Sequence, residues 1–142
     1  KPAFINIWAT WCGPCVSEMS HLNELAQEYA GKLSIIGLHA EGTTVKDDEL
    51  VPWEEKNEAA RDLAERLSLT FPLINPNQEL FLLMNVPDYG LQVTNFPTTW
   101  LIDKNGAVVD MSIGAKDKKS WEKIIDGFLS KMEEAELAKT EG

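Results

Sequence analysis

The sequence predicts an α/β fold in which one mixed β-sheet carries helices on both faces. Three observations support this. A strand, a helix and a second strand open the chain, the order of a right-handed parallel βαβ unit. Two later apolar runs are joined by Asp103-Lys104-Asn105-Gly106, a hairpin signal in which Asn-Gly favours positive φ. Apolar residues then recur at helical spacing towards the end.

The first run, Ala3-Phe4-Ile5-Asn6-Ile7-Trp8, reads as a strand buried on both faces. Cys12 follows after a short connection, and a helix is expected from there to about Tyr29. Pro14 falls in its first turn, where a proline is tolerated. Val16, Met19, Leu22, Leu25, Ala26 and Tyr29 make its apolar face, and Gly31 closes it. Leu33 to Leu38 is the second strand. Glu41 to Glu49 reads as a polar loop, and Pro52 as the start of a helix whose Ala60, Leu63, Ala64 and Leu67 share one face. Residues 71–97 read as irregular, punctuated by Pro72, Pro76, Pro87 and Pro97. Within them the run Leu80 to Met84 is assigned to a packed insert rather than a partner groove. Thr98–Ile102 and Ala107–Ile113 are the antiparallel hairpin strands. Ser120 to Leu137 is the last helix, with Trp121, Ile124, Ile125, Phe128, Leu129 and Met132 at helical spacing. The element order is βαβ-α-ββα. Residues 1–138 form one domain, and residues 139–142 are expected to fray.

The 44% apolar and 25% charged content is ordinary for a folded domain. A net charge of −10 argues against a nucleic-acid or anionic-membrane surface and favours basic partners. No run of about 18 apolar residues is present, so no segment is expected to span a bilayer. The chain enters its first strand directly after Lys1-Pro2, as a chain trimmed of its N-terminus would.

The sharpest signal is Cys12-Gly13-Pro14-Cys15, which holds the only two cysteines. Three residues make about one helical turn, which brings two Cα atoms near the ~5.5 Å that a disulfide needs. At a helix N-terminus the first sulfur meets unpaired N–H groups and the positive dipole end, so the Cys12 thiol is expected to ionise below the pH of a free cysteine. Cys12 would attack a partner disulfide, and Cys15, one turn deeper, would resolve the mixed disulfide. Two blander readings compete. A structural disulfide closing so short a loop stabilises little, and zinc needs further ligands that this sequence does not group with the pair. Asp47, Asp48 and Glu49 lack the spacing of a calcium loop. His39 reads as an ordinary polar strand end and His21 as part of a solvated helix face.

These residues resemble a known family. Trp8-Ala9-Thr10-Trp11-Cys12-Gly13-Pro14-Cys15 is similar to the active site of thioredoxins, and Phe96-Pro97-Thr98-Thr99 to the loop that carries their cis-proline. Leu101 to Gly106 resembles the strand and hairpin that follow. Asn6 stands where cytosolic thioredoxins carry a buried acid, and Glu18 follows Cys15 by three residues, as in the TlpA/ResA-like extracytoplasmic branch. Such proteins begin with an extra β-hairpin that is absent here. The segments Glu41–Trp53 and Gln78–Gly90 look longer than in a minimal thioredoxin. The resemblance implies a thioredoxin-like fold with no cofactor. It implies that Pro97 is cis, leaving the Phe96 backbone open to an extended substrate. It also implies a monomer that exchanges disulfides with protein substrates and an upstream redox donor, in an extracytoplasmic compartment, with any anchor in the missing N-terminus.

On this reading Cys12 and Cys15 carry the chemistry. Glu18 accepts the Cys15 proton, against the alternative of a solvated helix glutamate. Trp11, Gly13, Pro14, Phe96 and Pro97 contact substrate, and Trp8 shields the pair by packing. Asn6 hydrogen-bonds either beneath the site or to local backbone. The expected function is a protein-disulfide oxidoreductase acting as a reductant. The alternative is a Cu(I) metallochaperone using the cysteine pair and a third ligand. Related copper carriers use a late histidine, and none follows His39. A redox-inert scaffold is disfavoured by the intact pair.

Overall fold

The computed structural model describes residues 1–141. In chain order the elements are β1 (Ala3–Trp8), α1 (Gly13–Glu28), β2 (Ser34–His39), β3 (Thr43–Lys46), β4 (Glu49–Pro52), α2 (Glu54–Arg66), β5 (Leu73–Ile74), α3 (Gln78–Asn85), β6 (Thr98–Ile102), β7 (Val108–Ile113) and α4 (Lys118–Glu141). Five strands form one sheet of order β5-β2-β1-β6-β7, and β3 and β4 form a separate hairpin. β2 lies parallel to β1, with Trp8 opposite His39, while β6 lies antiparallel on the other side, with Ile7 opposite Thr98.

The central place of β1 explains its apolar run. Phe4 packs with Leu22 and Leu25 of α1 and with Trp121, Ile125 and Phe128 of α4. Ile5 and Ile7, pointing the other way, pack with Leu38, Trp100 and Met84 of α3. Alternation along one strand therefore feeds two cores. A third cluster joins Trp8 and Ala9 to Cys12, Cys15, Met19, Ala60 and Leu63, so α2 closes over the active end of α1.

Several expectations are corrected. The stretch from Glu41 to Glu49 is largely a hairpin rather than a polar loop, turned by Asp47 (φ 53°) and Asp48 (φ 63°). Aspartate tolerates this left-handed backbone better than most residues, so Asp-Asp serves where Asn-Gly would be usual. Pro52 ends β4 instead of starting a helix. Its neighbour Trp53 caps α2, with its N–H donating to the Gly42 carbonyl at 3.0 Å. The region 71–97 holds β5, α3 and a short 3-10 turn, Pro87–Tyr89. α3 forms where Leu80, Leu83 and Met84 can reach the core, and the Asn77 side chain accepts from the Leu80 N–H at 2.9 Å to cap it. In the β6–β7 turn only Gly106 (φ 88°) is left-handed; Asp103 Oδ1 closes the loop by accepting from the N–H groups of Asn105 and Ala107.

α4 starts two residues earlier than expected, where the Asp117 carboxylate accepts from the Ser120 N–H at 2.8 Å. That bond holds the Asp117 carboxyl below the usual carboxylate range. The helix continues through Glu141 and takes in Lys139 and Thr140, and Gly142 lies outside the described residues.

Leu22 is fully buried between α1, β1 and α4. Leu22→Ala is expected to cost about 2–5 kcal/mol in urea-unfolding free energy. A loss under about 1 kcal/mol would show that this core does not hold the two helices to the sheet.

Candidate active site

The site forms where β1 ends and α1 begins. Cys12 is the N-cap of α1, with extended backbone at φ −84° and ψ 103°. Its Sγ accepts from the Cys15 N–H at 3.2 Å, satisfying one of the donors that every helix start leaves open. Pro14 occupies the first turn, as its fixed φ allows. Cys12 and Cys15 are joined as a disulfide with Cα atoms 5.2 Å apart. Cys12 is 4% exposed and Cys15 fully buried, so one sulfur borders solvent and the other lies beneath it.

The aromatic residues around the pair divide. Trp11 stands 63% exposed beside Cys12, and Gly13 and Pro14 are exposed with it. The Trp11 ring meets Phe96 edge-on at 5.7 Å, and its Nε1 donates to Glu41 Oε1 at 2.9 Å. Trp8 is fully buried behind the disulfide and stacks on His39 at 4.8 Å. The Phe96–Pro97 peptide is cis. Pro97 is buried and its carbonyl accepts from the Gly114 N–H. The Phe96 N–H and carbonyl make no hydrogen bond among the described residues.

Glu18 lies one turn after Cys15 and is 1% exposed, so the alternative of a solvated helix glutamate is set aside. Its Oε1 accepts from Asn6 Nδ2 at 3.0 Å. Its Oε2 accepts from Trp121 Nε1 at 2.9 Å and from the Lys116 N–H at 2.8 Å. Burial outweighs these donors and pushes the Glu18 carboxyl above the usual carboxylate range. Asn6 also donates to Thr99 Oγ1 at 3.1 Å, so its amide lies beneath the site and joins β1 to β6.

His39 is 1% exposed, not an open strand end, and burial lowers its imidazole pKa. Neither of its ring nitrogens has a partner among the described residues; a cavity of about 400 Å³, bordered by Asn57, Arg61 and Asn75, adjoins it. His21 is half-buried on α1.

Glu41, Thr99, Lys116 and Trp121 carry no site role in the sequence, where Thr99 reads only as part of the cis-proline motif and Trp121 as a core position of the last helix. Glu41 alone left a signal there. It lies just past β2, at the sheet edge where parallel strands gather functional side chains. The rest act through contacts 93 to 103 residues away in the chain.

The chain's likeness to known proteins agrees with this geometry. The Redoxin family model matches residues 1–127. The chain belongs to the Redoxin family. It is 30% identical over 126 residues to the thioredoxin-like protein YneN of Bacillus subtilis (strain 168), covering 89% of this chain and 64% of that protein. It is 34% identical over 134 residues to the thiol-disulfide oxidoreductase ResA of Bacillus anthracis, covering 93% of this chain and 64% of that one. The chain thus spans less than two thirds of the length of these relatives. A solved thiol:disulfide interchange protein of the thioredoxin family from Chlorobium tepidum TLS superposes with a TM-score of 0.66 at 21% identity, over 91% of this redoxin chain and 80% of its own. The fold is thioredoxin-like, as the sequence motifs implied.

A raised carboxyl pKa in the folded state means that the unfolded chain ionises first. Stability from Glu18 is therefore fully present below its unfolded pKa and is lost as pH rises through the folded pKa. The unfolding free energy of the oxidised protein, minus that of Glu18→Gln, should fall from about pH 4.5 upwards and then level off. For one proton the slope cannot exceed about 1.4 kcal/mol per pH unit. A difference that stays flat with pH would show that Glu18 titrates normally.

Proposed function

We propose that this chain is a thiol–disulfide oxidoreductase that reduces disulfides in protein substrates. The observation that carries this reading is the Cys12–Cys15 disulfide at the N-cap of α1, with its less buried cysteine next to an exposed tryptophan. The likeness to ResA supports it.

In the reduced protein the helix N-terminus favours the Cys12 thiolate. That sulfur attacks one sulfur of the substrate disulfide. A Cys12–substrate disulfide forms, and the other substrate sulfur leaves as a thiolate that takes a proton. Cys15 then gives its proton to Glu18 and attacks the Cys12 sulfur. The mixed disulfide breaks, the second substrate thiolate leaves, and the Cys12–Cys15 disulfide forms. Two electrons pass from the protein to the substrate, and an upstream dithiol donor restores the reduced pair. A carboxyl with raised proton affinity one turn beyond Cys15 suits this acceptor role.

Trp11, Gly13, Pro14 and Phe96 would form the contact surface, with Pro97 shaping the Phe96 backbone. The protein would act as a monomer in an extracytoplasmic compartment, a reading that rests on the ResA likeness. No helix among the described residues is long and apolar enough to cross a membrane. The copper-carrier reading gains no support: no group of three His, Cys, Asp or Glu side chains that could hold a metal ion occurs among the described residues.

The protein should accelerate insulin reduction by dithiothreitol, and Cys12→Ser should abolish the effect. Cys15→Ser should accumulate a substrate adduct at Cys12, read by mass spectrometry. An undiminished rate in Cys12→Ser, or adducts at Cys15 in that variant, would overturn the assignment. Glu18→Gln should slow resolution of the mixed disulfide at neutral pH by about tenfold or more. Resolution kinetics that match the parent at every pH would remove Glu18 from the proton path.

A further inference from the structure

The exchange chemistry leaves hairpin β3–β4, helix α3 and Glu41 without a task. They meet around a cavity of about 230 Å³ whose walls include Trp53, Phe81, Met84, Val93 and Phe96, the last of which also packs against the cluster that holds the disulfide. Such a space falls below the ~300–1,000 Å³ typical of small-molecule sites and suits one side chain.

Two polar features mark its edge. Phe96 lines the cavity and carries the unpaired backbone N–H and carbonyl next to Pro97, so the cavity continues from the edge where an extended segment would add. Glu41 sits on the rim. Its Oε1 takes both the Trp11 hydrogen bond and the Lys56 ammonium at 3.6 Å, while its Oε2 has no partner among the described residues. Lys56 in turn lies over the Trp53 ring at 5.3 Å. Asp47, Asp48 and Glu49 at the hairpin turn and Glu54 and Glu55 at the start of α2 are exposed, so acids outnumber Lys46 and Lys56 in the segment that follows Glu41.

We propose that this cavity is a specificity subsite for a long basic side chain, arginine above all, close to the reacting cysteine of the substrate. The inference rests on the exchange reading above and names its substrate class: cysteine-containing segments of basic character. The aliphatic stem of arginine would lie along the apolar walls, and its guanidinium would reach the free Oε2 of Glu41. An acidic side chain would meet like charge there. A purely apolar one would fill the walls but strip water from the carboxylate without pairing it.

The test uses the reduced full chain and disulfide-linked peptide dimers in which the residues flanking cysteine are arginine, leucine or glutamate. Glutathione disulfide, whose cysteines are flanked by a γ-glutamyl group and glycine, serves as a substrate with no basic side chain for the subsite. The second-order rate constant should be about fivefold higher for arginine than for leucine, and lowest for glutamate. Glu41→Gln, which keeps an acceptor for Trp11, should bring the arginine-to-leucine ratio close to one. Thr44→Trp, which fills the cavity from β3, should do the same. Glu58→Gln, which removes equal charge from the exposed face of α2, should leave the ratio intact. Equal rates for the three peptides, or a preference that survives Glu41→Gln, would overturn the subsite while leaving disulfide exchange standing. Failure to react with any of the peptides or with glutathione disulfide would overturn the exchange reading and the subsite with it.

Discussion

A buried carboxylate organises this molecule. Glu18 is almost wholly removed from water, and such a group is tolerable only when its oxygens are met by donors or its charge is neutralised. Its donors come from three other parts of the chain: the amide of Asn6 on β1, the backbone before α4 at Lys116, and the indole of Trp121 on α4. Asn6 extends the network to Thr99 on β6. A single side chain thus ties the helix that carries the cysteines to the sheet and to the closing helix. The same burial that makes the network necessary raises its affinity for a proton.

The frame was readable where burial and periodicity are strong. β1 and β6 have the bounds that their apolar runs predict, because both strands are interior to the sheet. The cysteine pair and its helix were equally legible, since three-residue spacing and a first-turn proline leave little choice of geometry. The insert was not. β3 and β4 have four residues each and pair only with one another, so neither shows the long alternation that marks a half-buried strand. Their turn is Asp47-Asp48, which reads as a solvated acidic run. α3 has eight residues and an irregular apolar pattern, yet Pro76-Asn77 ahead of it was a usable start signal.

Of the site, the residues whose chemistry is local were visible, and those whose chemistry arises from distant contacts were not. Glu18 stood out through the family resemblance together with its place one turn beyond Cys15. The donors that hold it could not, because Trp121 reads first as a core residue of an amphipathic helix. His39 is the opposite case. Parallel pairing with Trp8 carries it into the interior, where a strand-end histidine would not be expected. The sulfur chemistry sits at the helix start, whereas the apolar and acidic features that could choose a partner belong to the insert.

The hairpin departs and returns at one point. The Gly42 carbonyl accepts both from the Trp53 N–H and from Asn57 Nδ2, each at 3.0 Å. Residues 43–52 are therefore a closed excursion pinned at its neck. Such a detour behaves as a cassette: its length and composition can drift, or be exchanged wholesale, while the neck keeps β2 and α2 in place. Partner choice can then diversify across descendants without the dithiol machinery having to be rebuilt each time.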